Sequence, residues 1–181
     1  SLTLSYLSNL TDHLNTGGNP MKDQSKTKQV LIQELALLKQ RIVDRYGQPL
    51  TLLLLDFDDF KQFNDAYGHI EGDRVLSRFG QVVKRCLRQT DSAYRYGGEE
   101  FTILLPMTTS EDSAVTAERI RAEFKKENFS PVAGKDVPMT VSIGLAQYQP
   151  QEDMKAFFVH RVDQLMYQAK KNGKDRVCPE S

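Results

Sequence analysis

The chain has 181 residues, 39% of them hydrophobic and 27% charged, which suits one domain with a buried core. Its 24 basic and 24 acidic residues cancel, so neither broad capture of nucleic acid nor attachment to an acidic membrane is expected. A phosphate site must therefore be built locally, from metal ions and a few placed cations. No apolar run approaches the roughly 20 residues that span a bilayer, and no signal or transit peptide is evident. Cys86 and Cys178 lack metal-ligand spacing, so two reduced thiols in a cytosolic domain are expected.

Residues 1 to 22 read as a connector, polar and closing on the turn Thr16-Gly17-Gly18-Asn19-Pro20, and residues 23 to 181 as the domain proper. From about 23 to 45, Val30, Leu31, Leu35, Leu38, Ile42 and Val43 recur at helical spacing until Gly47 and Pro49 end the segment. Leu50 to Leu55 is a continuous apolar run stopping at Asp56, the pattern of a central strand covered on both faces. Phe60 to Tyr67 and Asp73 to Leu87 predict two helices broken around Gly68 to Gly72. Ala93 to Tyr96 and Phe101 to Leu105 predict short strands joined by a Gly97-Gly98 turn. Ser110, with Ser113 as the alternative, caps a helix running to about Glu127. A strand centred on Met139 to Leu145 follows, then a helix over Met154 to Lys171 closed by Asn172-Gly173, then a short edge strand within Asp175 to Cys178. The order predicts an α/β sandwich in which helices flank a mixed sheet. Strand order does not follow from pattern.

The chemistry concentrates at two strand ends. Asp56-Phe57-Asp58-Asp59 lies where the buried strand stops, which is where α/β proteins commonly place ligands. For Asp58 and Asp59 a polar turn or a helix N-cap is the stronger reading. An EF-hand is excluded, because glycine at loop position 6 and glutamate at position 12 are missing. Gly97-Gly98 suits either a tight hairpin or close approach of a phosphate to bare backbone. Glu99 and Glu100 then lead into the apolar run Phe101 to Leu105, and a carboxylate pair there needs a compensating partner. Magnesium is the usual one. Lys170 and Lys174, one turn apart at a helix C-terminus, read first as charge complementing the helix dipole.

Asp56-x-Asp58-x-Phe60-Lys61-x-x-Asn64-Asp65-x-x-Gly68-His69-x-x-Gly72-Asp73-x-x-Leu76, followed by Arg95-Tyr96-Gly97-Gly98-Glu99-Glu100-Phe101, resembles the GGDEF family of bacterial diguanylate cyclases, in its GGEEF variant. Leu165-Met166-Tyr167-x-Ala169-Lys170-x-x-Gly173-Lys174-x-Arg176 is similar to that family's closing motif, and together the motifs span about residues 48 to 178. The resemblance implies a palm-like fold with a ferredoxin-like core, akin to adenylate cyclases and polymerases. It implies condensation of two GTP into cyclic di-GMP with release of pyrophosphate, in a magnesium-dependent (alternatively manganese-dependent) reaction. Asp56, the carbonyl of Phe57, Glu99 and Glu100 would hold the metal, with Glu99 also catalytic. Strand alternation sends Glu99 and Glu100 to opposite faces, which makes Glu100 the weaker ligand. Gly97 and Gly98 would pass the phosphates, Asn64 and Asp73 would contact guanine, His69 would lie at the substrate, and Lys170 and Lys174 would bind phosphate.

Arg88-Gln89-Thr90-Asp91 resembles the family's inhibitory Arg-x-x-Asp motif at its expected distance from Gly97, with Arg119 a secondary contact for bound product. By itself such a quartet is only a local ion pair. One nucleotide site per domain implies a homodimer, at least transient. An N-terminal sensory or regulatory module is expected, in a bacterial cytoplasmic setting with the parent protein free to be membrane-tethered. The family's usual opening is altered here in Asp12-His13-Leu14-Asn15-Thr16-Gly17-Gly18-Asn19-Pro20, where Asn15, Thr16, Gly17 and Pro20 depart from it. Two other readings compete: a receptor that binds cyclic di-GMP through Arg88 without turnover, and a module that responds to GTP without making product.

Overall fold

The computed structural model describes residues 20–150, 153 and 158–180. The altered turn over 12–19 and the predicted first helical turn over 154–157 lie outside them. In chain order the elements are α1 (Pro20–Leu38), β1 (Leu50–Phe57), α2 (Phe60–Tyr67), α3 (His69–Cys86), β2 (Ser92–Arg95), β3 (Glu100–Pro106) and α4 (Ser110–Lys125). A small ribbon of β4 (Phe129–Val132) and β5 (Lys135–Val137) follows, then β6 (Val141–Gln147), α5 (Val159–Lys171) and β7 (Val177–Pro179). The main sheet has five strands in the order β2-β3-β1-β6-β7. β1 runs antiparallel to both β3 and β6, while β7 joins β6 in parallel. The mixed, mostly antiparallel sheet flanked by helices is the predicted class.

The central position of β1 explains its unbroken apolar run. Leu53, Leu55 and Phe57 face a core shared with α2, α3 and α4, and Leu50, Leu52 and Leu54 face a second core under α1 and α5. Both faces are covered, so no polar alternation survives. Around Phe57 the rings of Phe79 and Phe124 pack with centroids 4.9 Å and 5.3 Å away, fixing the strand end on which the site is built.

Several boundaries differ from the predicted ones for local reasons. The break between α2 and α3 is Gly68 alone, at φ +86°, and Gly72 lies inside α3 rather than in a loop. Thr109, not Ser110 or Ser113, caps α4, its hydroxyl accepting from the Asp112 N–H at 3.3 Å. The hairpin between β2 and β3 is a four-residue loop, Tyr96 to Glu99, tied by Tyr96 N–H to the Glu100 carbonyl at 2.7 Å. Neither of its glycines has a left-handed φ, which rules out the two-residue type I′ turn. The β4–β5 ribbon was not predicted, because Pro131 and Gly134 interrupt any alternation there. No helix among the described residues is long and apolar enough to cross a membrane.

α1 docks through the buried Leu31 and Leu35, and between them Glu34 accepts a hydrogen bond from the Ser92 hydroxyl at 2.7 Å. Burial pushes the Glu34 carboxyl above its ordinary range, and the Ser92 bond only partly offsets this. The folded state therefore holds the proton more tightly than the unfolded chain, and stability declines as pH rises from about 4.5 through the folded value. Glu34→Gln is expected to melt higher than the parent at pH 7.5, with the gap closing as pH falls below that window. Equal melting temperatures at pH 7.5 would refute it.

Candidate active site

The carboxyl end of β1 becomes a site because four elements are brought to it. β3 sets Glu100 opposite Asp56, and the carbonyl of Glu99 accepts from Phe57 N–H at 3.4 Å. On the other side α5 lies directly on β6. A Cβ at Gly144 would stand 2.2 Å from the backbone nitrogen of Met166 and 2.5 Å from the carbonyl of Val162. Only glycine allows that approach, and one turn beyond Met166 it carries Lys170 to the end of β1. Nothing in the sequence pattern singled out Gly144.

Lys170 Nζ donates to Asp56 Oδ1 and, at 3.0 Å, to the Phe57 carbonyl. These are the two oxygens that the family resemblance assigns to a metal. Lys174 Nζ donates to Asp59 Oδ1 at 2.6 Å. Asp59 sits at φ +57° just before α2 and makes no side-chain cap, so the N-cap reading fails for it. Asp58 is more than a turn residue. It is 4% exposed and accepts from Thr140 Oγ1 and Ser142 Oγ, both at 2.7 Å, and from Asp175 N–H at 3.0 Å. Three donors satisfy a carboxylate that would otherwise be costly to bury, and they lock β1, β6 and the loop after α5 together.

An open cleft of about 210 Å³ lies beside this end, lined by Asn64 of α2, by His69 and Asp73 of α3, and by Gly98 and Glu99 of the hairpin. Phe60, Leu76 and Arg95 complete its walls, though the motif supplied no role for them. Arg95 donates through Nη2 to the Gly98 carbonyl at 2.7 Å and so clasps the loop. Asn64 reaches the cleft only because Gly72 has no side chain, since a Cβ there would stand 1.9 Å from Asn64 Oδ1. That oxygen is buried against Gly72 with no hydrogen-bond partner among the described residues.

Glu99 and Glu100 diverge, but not through strand alternation, because Glu99 belongs to the hairpin loop and only Glu100 to β3. Glu99 lines the cleft, whereas Glu100 begins β3 on the face of Asp56 and lies against Gly97, where a Cβ would meet its Oε2 at 2.4 Å. Burial raises the Glu99 carboxyl above its ordinary range, and the neighbouring Asp56 charge adds to this. Burial likewise raises Asp56 despite its bond to Lys170, with Asp58 and Asp163 contributing. The site thus carries more negative charge than its lysine neutralises, which favours a further cation. Among the described residues no three side chains of His, Cys, Asp or Glu are gathered tightly enough to chelate one. Magnesium does not need that, because one or two carboxylates with phosphate and water complete its shell. The all-oxygen set of Asp56, Phe57 carbonyl and Glu99, with the Lys170 ammonium standing where a cation belongs, fits such an ion.

The turn after α5 is backbone-strained. Lys174 and Asp175 hold φ of +61° and +45° in succession, following Gly173 at +108°. Each left-handed non-glycine residue costs about 1–2 kcal/mol.

Arg88, Asp91 and Arg119 come together at the far end of α3, roughly 25 Å along the helix from His69. Asp91 Oδ2 accepts from the Arg88 backbone N–H at 2.8 Å, and Arg119 Nη2 donates to the Cys86 carbonyl at 2.7 Å. The local contact is thus a backbone bond, and no Arg88–Asp91 ion pair occurs among the described residues. Burial raises the Asp91 carboxyl against the opposing pull of Arg88 and Arg119.

A family model described as "Diguanylate cyclase, GGDEF domain" matches residues 26–176. Diguanylate cyclase A of Treponema denticola is 38% identical over 130 residues, covering 72% of this chain and 35% of that protein. The chain thus spans about a third of the length of the curated relatives it matches. Among solved structures, the GGDEF domain of DgcB from Caulobacter crescentus in complex with c-di-GMP superposes with a TM-score of 0.76 at 32% identity, covering 83% of this chain and 88% of that one. The active GGEEF domain of a diguanylate cyclase from Vibrio cholerae gives 0.70 at 32% identity, covering 75% and 85%.

Proposed function

Because this chain belongs to the GGDEF family of diguanylate cyclases, we propose that it condenses two GTP molecules into cyclic di-GMP and two pyrophosphates. The observation that carries this is the single cleft in which Asn64, Asp73, Gly98 and Glu99 meet beside the Asp56–Lys170 pair. Asn64 and Asp73 hold the guanine. Both line the cleft, and adenine would leave the Asp73 acceptor poorly matched. His69, one turn before Asp73, contacts the bound nucleotide at the cleft wall.

Gly97 and Gly98 let the triphosphate lie against backbone. Gly98 has neither a left-handed φ nor any atom within 4 Å of an added Cβ, so the fold alone does not require glycine there. Gly98→Ala is therefore expected to keep the parent's melting temperature while weakening GTP binding at least about tenfold, read by titration with a fluorescent GTP analogue. Unchanged affinity would count against phosphate passage at this loop.

Asp56, the Phe57 carbonyl and Glu99, with Glu100 as a further ligand, would hold magnesium, which when bound would supply charge neutralisation at the phosphates and lower the pKa of the attacking 3′-hydroxyl. Lys170, which donates to Asp56 and the Phe57 carbonyl, and Lys174, which donates to Asp59, would turn to the phosphates when nucleotide is bound. Glu99, on the cleft wall, would accept the proton that the 3′-hydroxyl releases. The product needs two nucleotides face to face, so two chains meet through a two-fold axis, under control of an N-terminal regulatory module. Arg88, Asp91 and Arg119 bind the product as a feedback site.

Incubation with GTP and magnesium, in free and forcibly dimerised forms, is expected to yield cyclic di-GMP and pyrophosphate, with added cyclic di-GMP slowing turnover. A forced dimer that binds GTP but makes neither product would sink the enzymatic reading. Turnover indifferent to added product would sink the feedback site alone.

A further inference from the structure

We infer that Asp175, gripped by Arg121 and Lys125 of α4, is a positioning residue that holds Lys174 at the phosphate end of the cleft. Lys174 and Asp175 form two successive left-handed residues, a conformation that aspartate tolerates but that lysine would not keep unaided. The side-chain ion pairs that hold it converge on Asp175, while Arg176 Nε donates to the Lys174 carbonyl at 3.1 Å. The Asp175 carboxylate accepts from Arg121 Nη1 through Oδ1 and from Lys125 Nζ through Oδ2 at 2.5 Å, while its N–H donates to Asp58 Oδ2 at 3.0 Å. Arg121 is itself oriented by a forked contact with Glu118, Nε lying 2.9 Å from Oε2.

These side chains are largely shielded, Arg121 being 16% and Asp175 23% exposed, so the pair is less screened than a surface bridge. Behind Asp175 the turn is anchored by Lys174 N–H to the Ala169 carbonyl at 3.1 Å, and ahead of it by Ile143 N–H to the Arg176 carbonyl at 2.9 Å. What remains unanchored by backbone is the direction of Lys174. That direction follows from the Asp175 grip, which sets Lys174 Nζ 2.6 Å from Asp59 Oδ1, two residues past the end of β1. Thus α4, which contributes no lining to the cleft, fixes the lysine that pairs with Asp59.

The inference rests on Lys174 being a phosphate ligand, and the test separates the two. A fluorescent GTP analogue with magnesium is titrated against the protein and its Lys174→Ala, Arg121→Ala and Asp175→Asn variants. Asparagine tolerates a left-handed φ, so Asp175→Asn removes only the charge. Lys174→Ala is expected to weaken binding about tenfold and Arg121→Ala about fivefold, with Arg121→Lys restoring most of it. In the Lys174→Ala background Arg121→Ala should weaken binding no further, since the two act through one group. Additive losses would overturn the inference. Amide hydrogen exchange without nucleotide gives an independent reading: the Lys174 and Asp175 N–H groups should exchange about tenfold faster in Arg121→Ala and Asp175→Asn. Unchanged exchange would overturn it even if binding fell. If the parent protein binds no GTP analogue, the cyclase reading fails and exchange alone decides whether Asp175 holds the turn.

Discussion

Glu99→Gln is expected to lower cyclic di-GMP formation about 10³-fold and to weaken magnesium-dependent GTP binding at the same time. The substitution keeps the shape of the side chain and removes its charge. In the cleft Glu99 is already disfavoured as an anion by burial and by the Asp56 carboxylate. A divalent cation reverses that balance, because the ionised carboxylate is what it binds. A carboxylate touching magnesium is a weak base, so under the proposed function its larger contribution would be to hold the ion. The two contributions separate experimentally. Loss of turnover together with loss of magnesium-GTP affinity, measured by calorimetry, supports the metal role. A variant that binds magnesium-GTP as tightly as the parent and still makes no product would assign Glu99 to proton removal instead. Near-normal turnover would remove Glu99 from the chemistry.

Gly144→Val is expected to damage fold and site together. The added atoms meet backbone of α5, at 2.2 Å from Met166 N and 2.5 Å from Val162 O, and backbone cannot rotate aside as a side chain can. Overpacking of this kind costs about 3 kcal/mol, which for a chain of this size lowers the melting temperature by roughly 6–12 °C. Because α5 carries Lys170, its displacement also separates the ammonium from Asp56 and the Phe57 carbonyl, and turnover should fall even where the protein remains folded. Gly80→Ala is the matched control. Gly80 lies in α3 with nothing within 4 Å of an added Cβ, so alanine there should be neutral or stabilising by up to about 1 kcal/mol. Equal melting of Gly144→Val and the parent would show that α5 does not depend on that contact.

The sequence by itself determined what is local. The run from Leu50 to Leu55, apolar but for Thr51, matched the pattern of a strand covered on both sides, and the positions of Asp56, Gly97 and Glu99 near element ends followed from where that pattern stopped. The spacing of the motifs carried the family.

Tertiary structure decided which charges meet. Asp58 read as a turn residue, yet it is the buried tie between β1, β6 and the turn after α5, satisfied by Thr140, Ser142 and the Asp175 N–H. Its partners lie more than 80 positions away, as 82, 84 and 117 residues separate them in the chain. Lys170 read first as helix-dipole charge, but it occupies the oxygens of Asp56 and Phe57 across 114 and 113 positions. Gly72 and Gly144 owe their identity to a side chain and a helix packed against them, and the glycines of the hairpin owe nothing to turn type. Periodicity records which face of a segment is buried. It carries no record of the distant group buried against that face, and that pairing sets the charge and reach of this site.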